Sequence, residues 1–317
     1  MKVLYRFEEF DPAAGCAVTV GVFDGLHLGH RRLVQETLAA ARAHQVPSCV
    51  VTFRNHPREV LGRGTQDLIT SLEHRLVLLE RAGLDVAIAT EFTDELGSLT
   101  AERFVCELLR GRLGARALVL GSDARMGRSR SADSAQVAAI ARSCGIEPRI
   151  VPPVVVNGQI VSSTAVRERI RAGDLAAAEA LLGRRVSVLG TVVPGDGRGR
   201  RLGFPTANLD VQREVRPPYG VYATVAVIAG ERLPSVTNVG FRPTFEPEMR
   251  SGLRRDRLIE THLLRPPTGE IYGRTMEVEF VAKIRDERRF GTDAELAGQI
   301  AHDVESARAL LAREGLS

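Results

Sequence analysis

The sequence of 317 residues predicts an α/β domain followed by an antiparallel β-barrel domain. From residue 17 to residue 151, short β-branched runs alternate with helical patterns, which predicts a Rossmann-like parallel sheet with crossover helices. From residue 186 to residue 284, short alternating apolar runs are separated by Gly and Pro turns, as is typical of an antiparallel barrel. We place the two domains at residues 1–184 and 185–317.

Each predicted element rests on its own residue pattern. Apolar, β-branched runs predict the parallel strands, at 17–22, 48–53, 85–90, 115–121 and 148–154. Apolar residues at helical spacing predict the helices of the first part, at 31–44, 71–82 and 166–182. In the last segment Leu296, Ile300 and Val304 repeat at the same spacing, so we expect a helix over 292–313 that closes the barrel.

The mild basic surplus suits phosphorylated ligands better than long nucleic acid, but it decides little, because arginine used for solubility explains most of it. Lysine and arginine number 43 against 39 aspartates and glutamates, a formal net charge of +4, and arginines cluster at 198–201 and 250–257. Long nucleic acid usually requires a more pronounced basic stripe. With 5% aromatic residues and no tryptophan, the chain also offers few stacking platforms for single strands. We expect small-molecule partners and no nucleic acid, and the sequence leaves the oligomeric state open.

Cysteine usage and hydropathy indicate where in the cell the protein is expected. Cys16, Cys49, Cys106 and Cys144 are far apart with no C-x-x-C pair, so neither a disulfide nor a zinc framework is expected. The first residues lack the apolar core of a signal peptide, and no run approaches the roughly 18 apolar residues of a membrane span. We expect no membrane association and a cytoplasmic location.

A glycine-rich turn after the first long strand carries two histidines, three residues apart. A strand that runs through such a turn into a helix directs backbone N–H groups and the helix N-terminus at one spot, which favours phosphate. Two histidines at this spacing could also bind a metal or lie on the surface. The buried strand ahead of them favours the phosphate site, whose candidate residues are Gly21, Phe23, Asp24, Gly25, His27, Gly29 and His30.

The run F-D-G-L-H-L-G-H (23–30) resembles the signature of the H-x-G-H nucleotidyltransferases, and residues 15–34 resemble the adenylyltransferase module of bacterial bifunctional riboflavin kinase/FAD synthetases. V-S-S-T-A-V-R (161–167) resembles the family element that closes over the triphosphate, although Ser163 or Thr164 could equally be a helix cap. The resemblance implies attack of an FMN phosphate oxygen on the α-phosphorus of ATP, with a magnesium ion (Mg²⁺) and no covalent intermediate. It assigns His27, His30 and Arg167 to catalysis, and His56, Asp123, Ser162, Ser163 and Thr164 to the bound nucleotide.

This module departs from the family pattern in two places. Arg54 and Asn55 stand where the family usually reads D-P before H-P, and Ala124 and Met126 replace two aromatic residues. The phosphate-handling residues are kept, while residues that shape the base or flavin pocket have changed. The sequence therefore supports nucleotidyl transfer more strongly than it supports the identity of the nucleotide or the flavin.

The run G-D-G-R-G-R-R-L-G-F-P-T-A-N (195–208) dominates the second domain. Its glycines let a loop fold backbone amides around phosphates, and Thr206 and Asn208 offer the oxygen ligands that Mg²⁺ prefers. A basic hairpin loop alone would not account for the G-F-P-T-A-N that follows. The run resembles the riboflavin kinase motif, which implies that the ATP phosphates contact Gly195, Gly197, Gly199, Arg201, Gly203 and Pro205.

Further riboflavin kinase elements follow in family order, at 217–223, 237–245, 260–264, 271–274 and 284–290. Glu260 stands at the family's catalytic base position, although a single glutamate in a strand is commonly just its solvent-facing side. His262 has no assigned role, and His44, His74 and His302 are expected to be solvated.

The leading prediction is a bifunctional enzyme that phosphorylates riboflavin to FMN with ATP in the second domain and adenylylates FMN to FAD in the first. One alternative is a riboflavin kinase whose first domain is inactive or altered in specificity. A non-catalytic flavin or nucleotide sensor and an RNA-binding barrel are remote alternatives, since His27, His30, Thr206, Asn208 and Glu260 are all present.

Overall fold

The computed structural model describes residues 1–62, 64–241 and 257–316. Part of the predicted element at 237–245, and most of the arginine-rich stretch at 250–257, lie outside the described residues. The chain divides into two compact units, one formed by Met1–Asp67 and Leu72–Ser163 and the other by Leu68–Ser71 and Thr164–Ser317.

The first unit is an α/β unit. Its strands are β1 (Lys2–Leu4), β2 (Cys16–Val20), β3 (Ser48–Phe53), β4 (Val86–Thr90), β5 (Ala115–Gly121), β6 (Arg125–Met126), β7 (Ala132–Asp133), β8 (Glu147–Val151), β9 (Val155–Val156) and β10 (Gln159–Ile160). Its helices are α1 (Leu28–His44), α2 (Pro57–Val60), α3 (Leu72–Arg81), α4 (Asp94–Ser98), a π-helix (Arg103–Arg112) and α5 (Ser134–Ser143). Six strands form one sheet in the order β1-β4-β3-β2-β5-β8. All its neighbouring pairs are parallel, which confirms the predicted Rossmann-like sheet.

Helices cover both faces of this sheet, so its central strands are apolar throughout rather than alternating. On one face Val50 and Ala87 pack with Leu79 of α3. On the other face Val18 packs with Phe104 of the π-helix and Val137 of α5.

Two expectations about side chains in the first unit are wrong. Cys106 in the π-helix and Cys144 at the end of α5 are joined as a disulfide, with Cα atoms 5.6 Å apart. Their 38-residue separation hides this pairing in the sequence, because it arises only when the two helices pack together. His74 is fully buried rather than solvated. The buried side of α3 consists of His74, Arg75, Leu78 and Leu79, so the histidine lies on the face that packs inward.

The second unit begins with two helices, α6 (Ser163–Ala172), whose first residue belongs to the first unit, and α7 (Leu175–Leu182). They replace the single helix expected over 166–182. The break occurs at Gly173, whose φ of 78° ends α6, and the Asp174 carboxylate caps α7 by accepting the Ala177 N–H at 3.1 Å.

A closed antiparallel barrel forms the body of the second unit, as predicted. Its strands are β11 (Ser187–Val193), β12 (Thr206–Val211), β13 (Gly220–Ile228), β14 (Glu231–Phe241), β15 (Arg257–Leu263) and β16 (Thr275–Arg285), joined in the order β11-β12-β15-β14-β13-β16. A single helical turn, α8 (Arg198–Arg201), lies between β11 and β12, and α9 (Asp293–Arg313) follows the barrel.

The predicted C-terminal helix is confirmed as α9, which packs against the side of the barrel. Val304, Ala307 and Leu311 of α9 contact a buried apolar face that includes Val221 and Val236. No helix in the described parts of the chain is long and apolar enough to span a membrane.

Two candidate active sites

The first candidate site lies where the strand order of the parallel sheet reverses. From β2 the chain runs outward through β3 and β4, and β5 then returns to the other side of β2. In sheets of this kind ligands bind beyond the carboxyl ends of the strands at such a reversal. The turn 21–30 follows β2, and the segment 122–133 follows β5, so both predicted elements leave the sheet at this edge.

The turn after β2 has an unusual backbone. Phe23 and Leu26 both have positive φ, at 54° and 39°, a conformation that costs free energy in non-glycine residues and often marks functional sites. Phe23, Asp24, Gly25 and His27 are buried within the turn, and Gly21 lies at its start.

His27 is held in one orientation by the start of α1. Its Nδ1 accepts the backbone N–H of His30 at 3.3 Å, so the proton of a neutral His27 ring is on Nε2. Gly29 makes this possible, because a Cβ at that position would lie 3.2 Å from the His27 ring.

The two signature histidines are stacked. Their ring centroids are 3.7 Å apart with an interplanar angle of 16°. Burial lowers the pKa of His30 well below its ordinary value of 6.5, and the charges of His27 and Arg75 lower it further. His30 is therefore neutral at pH 7, and its buried Nδ1 has no partner among the described residues.

The serine-rich element is brought to the same turn. Ser163 Oγ donates a hydrogen bond to the Asp24 carbonyl at 3.0 Å, across 139 residues of sequence. Ser162 precedes it and is half-buried. Thr164, exposed, and Arg167, buried on α6, belong to the second unit, and their role remains a prediction.

The departure at 54–55 has a structural explanation at Asn55. The Asn55 side chain donates to the Phe92 carbonyl at 2.9 Å and accepts the Phe92 N–H at 2.7 Å, which joins the loops that follow β3 and β4. Arg54 is exposed and lies over the Tyr5 ring, 5.6 Å from its centroid. His56, which follows Asn55, caps α2: its Nδ1 accepts the Arg58 N–H at 3.1 Å.

The segment after β5 contains a small hairpin that the sequence pattern does not predict, formed by β6 and β7. Ala124 and Met126, which replace the two aromatic residues, are half-buried and pack against the apolar core of the sheet. Asp123 is exposed, and its side chain lies close to Gly121 at the end of β5.

Arg75 is a residue of this site that the motifs do not reveal. It is only 2% exposed and lies on the buried side of α3. Its guanidinium interacts electrostatically with Asp24 and His30, both in the phosphate turn. The available sequence signal is its spacing, since Arg75 lies four residues before Leu79 on a buried helical stripe.

The second candidate site lies on the barrel, beneath the glycine-rich loop. The loop passes so close to β12 that a Cβ at Gly195 would overlap the side-chain amide of Asn208. A Cβ at Gly199 would lie 3.2 Å from Thr206 Oγ1. Gly197 is the N-cap residue of α8, Arg201 is its last residue, and Gly203 and Pro205 lead into β12. The loop therefore covers the two residues predicted to hold the metal.

Three polar residues form a row across adjacent strands. Glu260 on β15 is directly opposite Asn208 on β12 and directly opposite Asn238 on β14. Two residues along the same strands, Thr206 is opposite His262. Because residues two apart on a strand face the same side, Thr206, Asn208, Glu260 and His262 share one face of the barrel.

His262, unassigned from the sequence, supports the loop. Its Nδ1 donates to the Pro205 carbonyl at 2.8 Å, and its ring packs edge-on against Phe204 at 5.6 Å between centroids. These contacts fix the segment that leads into Thr206.

Thr206 and Asn208 suit a hard divalent cation. A hydroxyl oxygen and an amide oxygen face the same side of β12, and Mg²⁺ prefers such oxygen ligands. The described residues contain no group of three or more His, Cys, Asp or Glu residues that could hold a metal. A cation held by Thr206 and Asn208 would take further ligands from phosphate oxygens and water, as Mg²⁺ commonly does in nucleotide complexes.

The fold and these two sites define a two-unit, nucleotide-dependent transferase. The FAD synthetase family matches residues 10–165, and the riboflavin kinase family matches residues 182–311. The chain is 37% identical over 299 residues to the bifunctional riboflavin kinase/FMN adenylyltransferase of Escherichia coli strain K12, covering 94% of this chain and 93% of that protein. It is 33% identical to the protein of the same name from Bacillus subtilis strain 168, covering 93% and 92%. The chain therefore belongs to the bifunctional riboflavin kinase/FMN adenylyltransferase family, which confirms the resemblance seen in its motifs.

A solved structure from Streptococcus pneumoniae, titled as a macrolide-efflux protein, has the same fold. It superposes with a TM-score of 0.80 at 29% identity, covering 96% of this chain and 98% of that one.

Proposed function

We propose that this chain makes FMN from riboflavin in its second unit and FAD from FMN in its first, with ATP as co-substrate of both steps. The observation that carries the proposal is that each unit has its own assembled constellation, the stacked His27 and His30 in one and the Asn208–Glu260 row in the other. Because both steps consume ATP, the proposal also favours the cytoplasmic location expected from the sequence.

In the riboflavin kinase reaction, the ribityl 5′-hydroxyl oxygen attacks the γ-phosphorus of ATP and ADP leaves. Glu260 accepts the hydroxyl proton, and its place beside Asn208 supports this role. The loop around Gly195 and Gly199 supplies backbone amides to the phosphates. Thr206 and Asn208 would hold Mg²⁺, which neutralises phosphate charge when bound.

In the adenylyl transfer, a phosphate oxygen of FMN attacks the α-phosphorus of ATP, the bond to the bridging oxygen breaks and pyrophosphate leaves. His27 and His30 donate hydrogen bonds to the phosphate, His30 as a neutral imidazole, which agrees with the orientation of His27 and the lowered pKa of His30. Ser163 binds on the triphosphate side, and His56 lies near the transferred phosphate.

One observation favours keeping an altered specificity of the first unit as a second candidate. Ala124 and Met126 pack against the core and leave the segment after β5 without the two aromatic side chains usual in the family. The Asn55 substitution carries less weight, because its amide is used on the Phe92 backbone.

Chromatography of the products formed from riboflavin, ATP and magnesium tests the proposal. We expect FMN to appear first and FAD to follow. FMN alone would support the riboflavin kinase alternative, and no flavin product would contradict both. Parallel reactions of FMN with ATP, GTP, CTP and UTP measure nucleotide choice, and efficient FAD formation from ATP would exclude the altered-specificity candidate.

A further inference from the structure

Arg75 connects the two loops that carry the histidines of the first site. Its Nη1 donates to Thr52 Oγ1 at 3.0 Å and to the Phe53 carbonyl at 3.0 Å. Thr52 Oγ1 in turn donates to the Val22 carbonyl at 3.1 Å. Val22 enters the turn that carries His27 and His30, and Phe53 leads to His56.

Burying the Arg75 guanidinium costs free energy, so we expect it to serve a function. A guanidinium that is 2% exposed loses most of its hydration, and burial lowers the pKa of Arg75 accordingly. Its Nε is also buried without a partner among the described residues. An apolar side chain would fill the same position on α3 with less loss of hydration, as Leu78 and Leu79 do nearby.

We propose that Arg75 is a positioning residue for adenylyl transfer, which holds the backbone at Val22 and Phe53 so that the His27–His30 turn and the His56 loop keep a fixed separation. The inference rests on the adenylyl transfer proposed above. Arg75 reaches these backbone groups from α3 and acts through them, so its removal should affect turnover more than nucleotide binding.

Two variants separate positioning from general stability. Arg75→Met removes the guanidinium, and Thr52→Val removes only the relay hydroxyl from a buried side chain of the same shape. Thr37→Val is the matched control, because Thr37 is equally buried in the same unit but donates to Leu33 within α1, at 2.8 Å. Riboflavin phosphorylation by the same chain provides an internal reference.

We expect Arg75→Met to lower kcat for FAD formation from FMN about 100-fold, the effect of a displacement near 1 Å at a reacting group. Thr52→Val should lower it about 10-fold. In both variants the KM for ATP in FAD formation should stay within about twofold of wild type, because Arg75 and Thr52 act through the backbone. The rate of FMN formation should also stay within about twofold, since neither change touches the barrel. Equal kcat in Thr52→Val and Thr37→Val would overturn the proposal, even if Arg75→Met failed to fold.

Hydrogen exchange tests the same inference without enzymatic activity. Amides in residues 21–30 and 54–58 should exchange faster in Thr52→Val than in wild type, whereas Thr37→Val should leave both segments unchanged. Unchanged exchange in Thr52→Val would contradict the positioning role. A wild-type chain that formed no FAD would refute the proposed transfer, and the exchange data would still decide whether Arg75 and Thr52 hold the two loops.

Discussion

His27 and His30 show how the backbone prepares side chains for phosphate. Capping α1 uses Nδ1 of His27, and His30 stacks beside it. The lowered pKa of His30 keeps its ring neutral at pH 7.

The lowered pKa of His30 makes the stability of the first unit sensitive to acid. Its native pKa lies below the ordinary value of about 6.5, so on acidification the unfolded chain takes up the proton first. The stability contribution of neutral His30 is fully present above about pH 6.5 and is lost as the pH falls below that value. His27 and Arg75 are the charged groups that face His30 and lower its pKa further.

Urea unfolding at pH 7.0 and pH 5.5 checks this prediction. Wild type should lose more stability between the two pH values than His30→Gln does. His302→Gln, a change at an exposed histidine of α9, should behave like wild type. Equal losses in wild type and His30→Gln would contradict the buried, neutral state of His30.

His262→Phe tests the support of the glycine-rich loop. The substitution keeps an aromatic ring against Phe204 but removes the hydrogen bond to the Pro205 carbonyl. Because a hydrogen bond contributes about 0.5–1.5 kcal/mol, the KM for ATP in FMN formation should rise about 2- to 10-fold with kcat little changed. Steady-state kinetics measure this, with His302→Gln as control. A large loss of kcat with unchanged KM would instead place His262 in the chemical step.

Residues predicted from motifs and residues found only in the fold differ in one respect. His27, Ser163 and Asn208 carry a local signature, so sequence alone can identify them. Arg75 and the Cys106–Cys144 pair have no such signature, because their partners come from distant parts of the chain.

At the scale of elements, strand register assembles the kinase site. β12, β15 and β14 lie side by side, so one residue from each forms the Asn208–Glu260–Asn238 row. The alternating pattern predicts that each strand exists. It cannot predict that β15 lies between β12 and β14, because that order depends on long-range pairing.

Other differences at this scale arise from short elements. The strands of the β6–β7 hairpin have two residues each, too few for an alternating pattern to be recognised. The break between α6 and α7 depends on the left-handed backbone of Gly173, whereas the surrounding alanine- and leucine-rich sequence continues to favour a helix.

A partly buried ion pair attaches α9 to the barrel. Arg285, at the end of β16, donates through Nε to Asp303 Oδ1 at 2.9 Å and through Nη2 to Oδ2 at 2.8 Å. Gln299 adds a further hydrogen bond to Asp303 Oδ1 at 2.8 Å. Asp303 is 2% exposed, so its partners replace most of its lost hydration.

Asp303→Ala should lower the free energy of unfolding by about 2 kcal/mol, because it removes the carboxylate to which both Arg285 and Gln299 donate. Asp293→Ala, which removes the exposed pair with Arg198, is the matched control and should cost less than about 1 kcal/mol. Chemical denaturation followed by circular dichroism measures the free energy of unfolding of both variants. Equal small losses would mean that the Arg285–Asp303 pair does not hold α9.

At the scale of the whole molecule, the chain contains two compact units with separate apolar cores and separate families of relatives. The change from alternating strands and helices to consecutive strands predicts both architectures. Motif order predicts both activities. Substrate choice in the first unit is less predictable from the sequence. It depends on how well side chains such as Ala124 and Met126 fit the shape of the substrate.

The most direct test of the account is a crossed pair of variants, Glu260→Gln and His27→Asn, each supplied with either riboflavin or FMN together with ATP and magnesium. Glu260→Gln should form no FMN from riboflavin but should convert FMN to FAD at the wild-type rate. His27→Asn should accumulate FMN from riboflavin and form little FAD. Near-wild-type FMN formation by Glu260→Gln, or loss of both reactions in either folded variant, would contradict two independent sites in one chain.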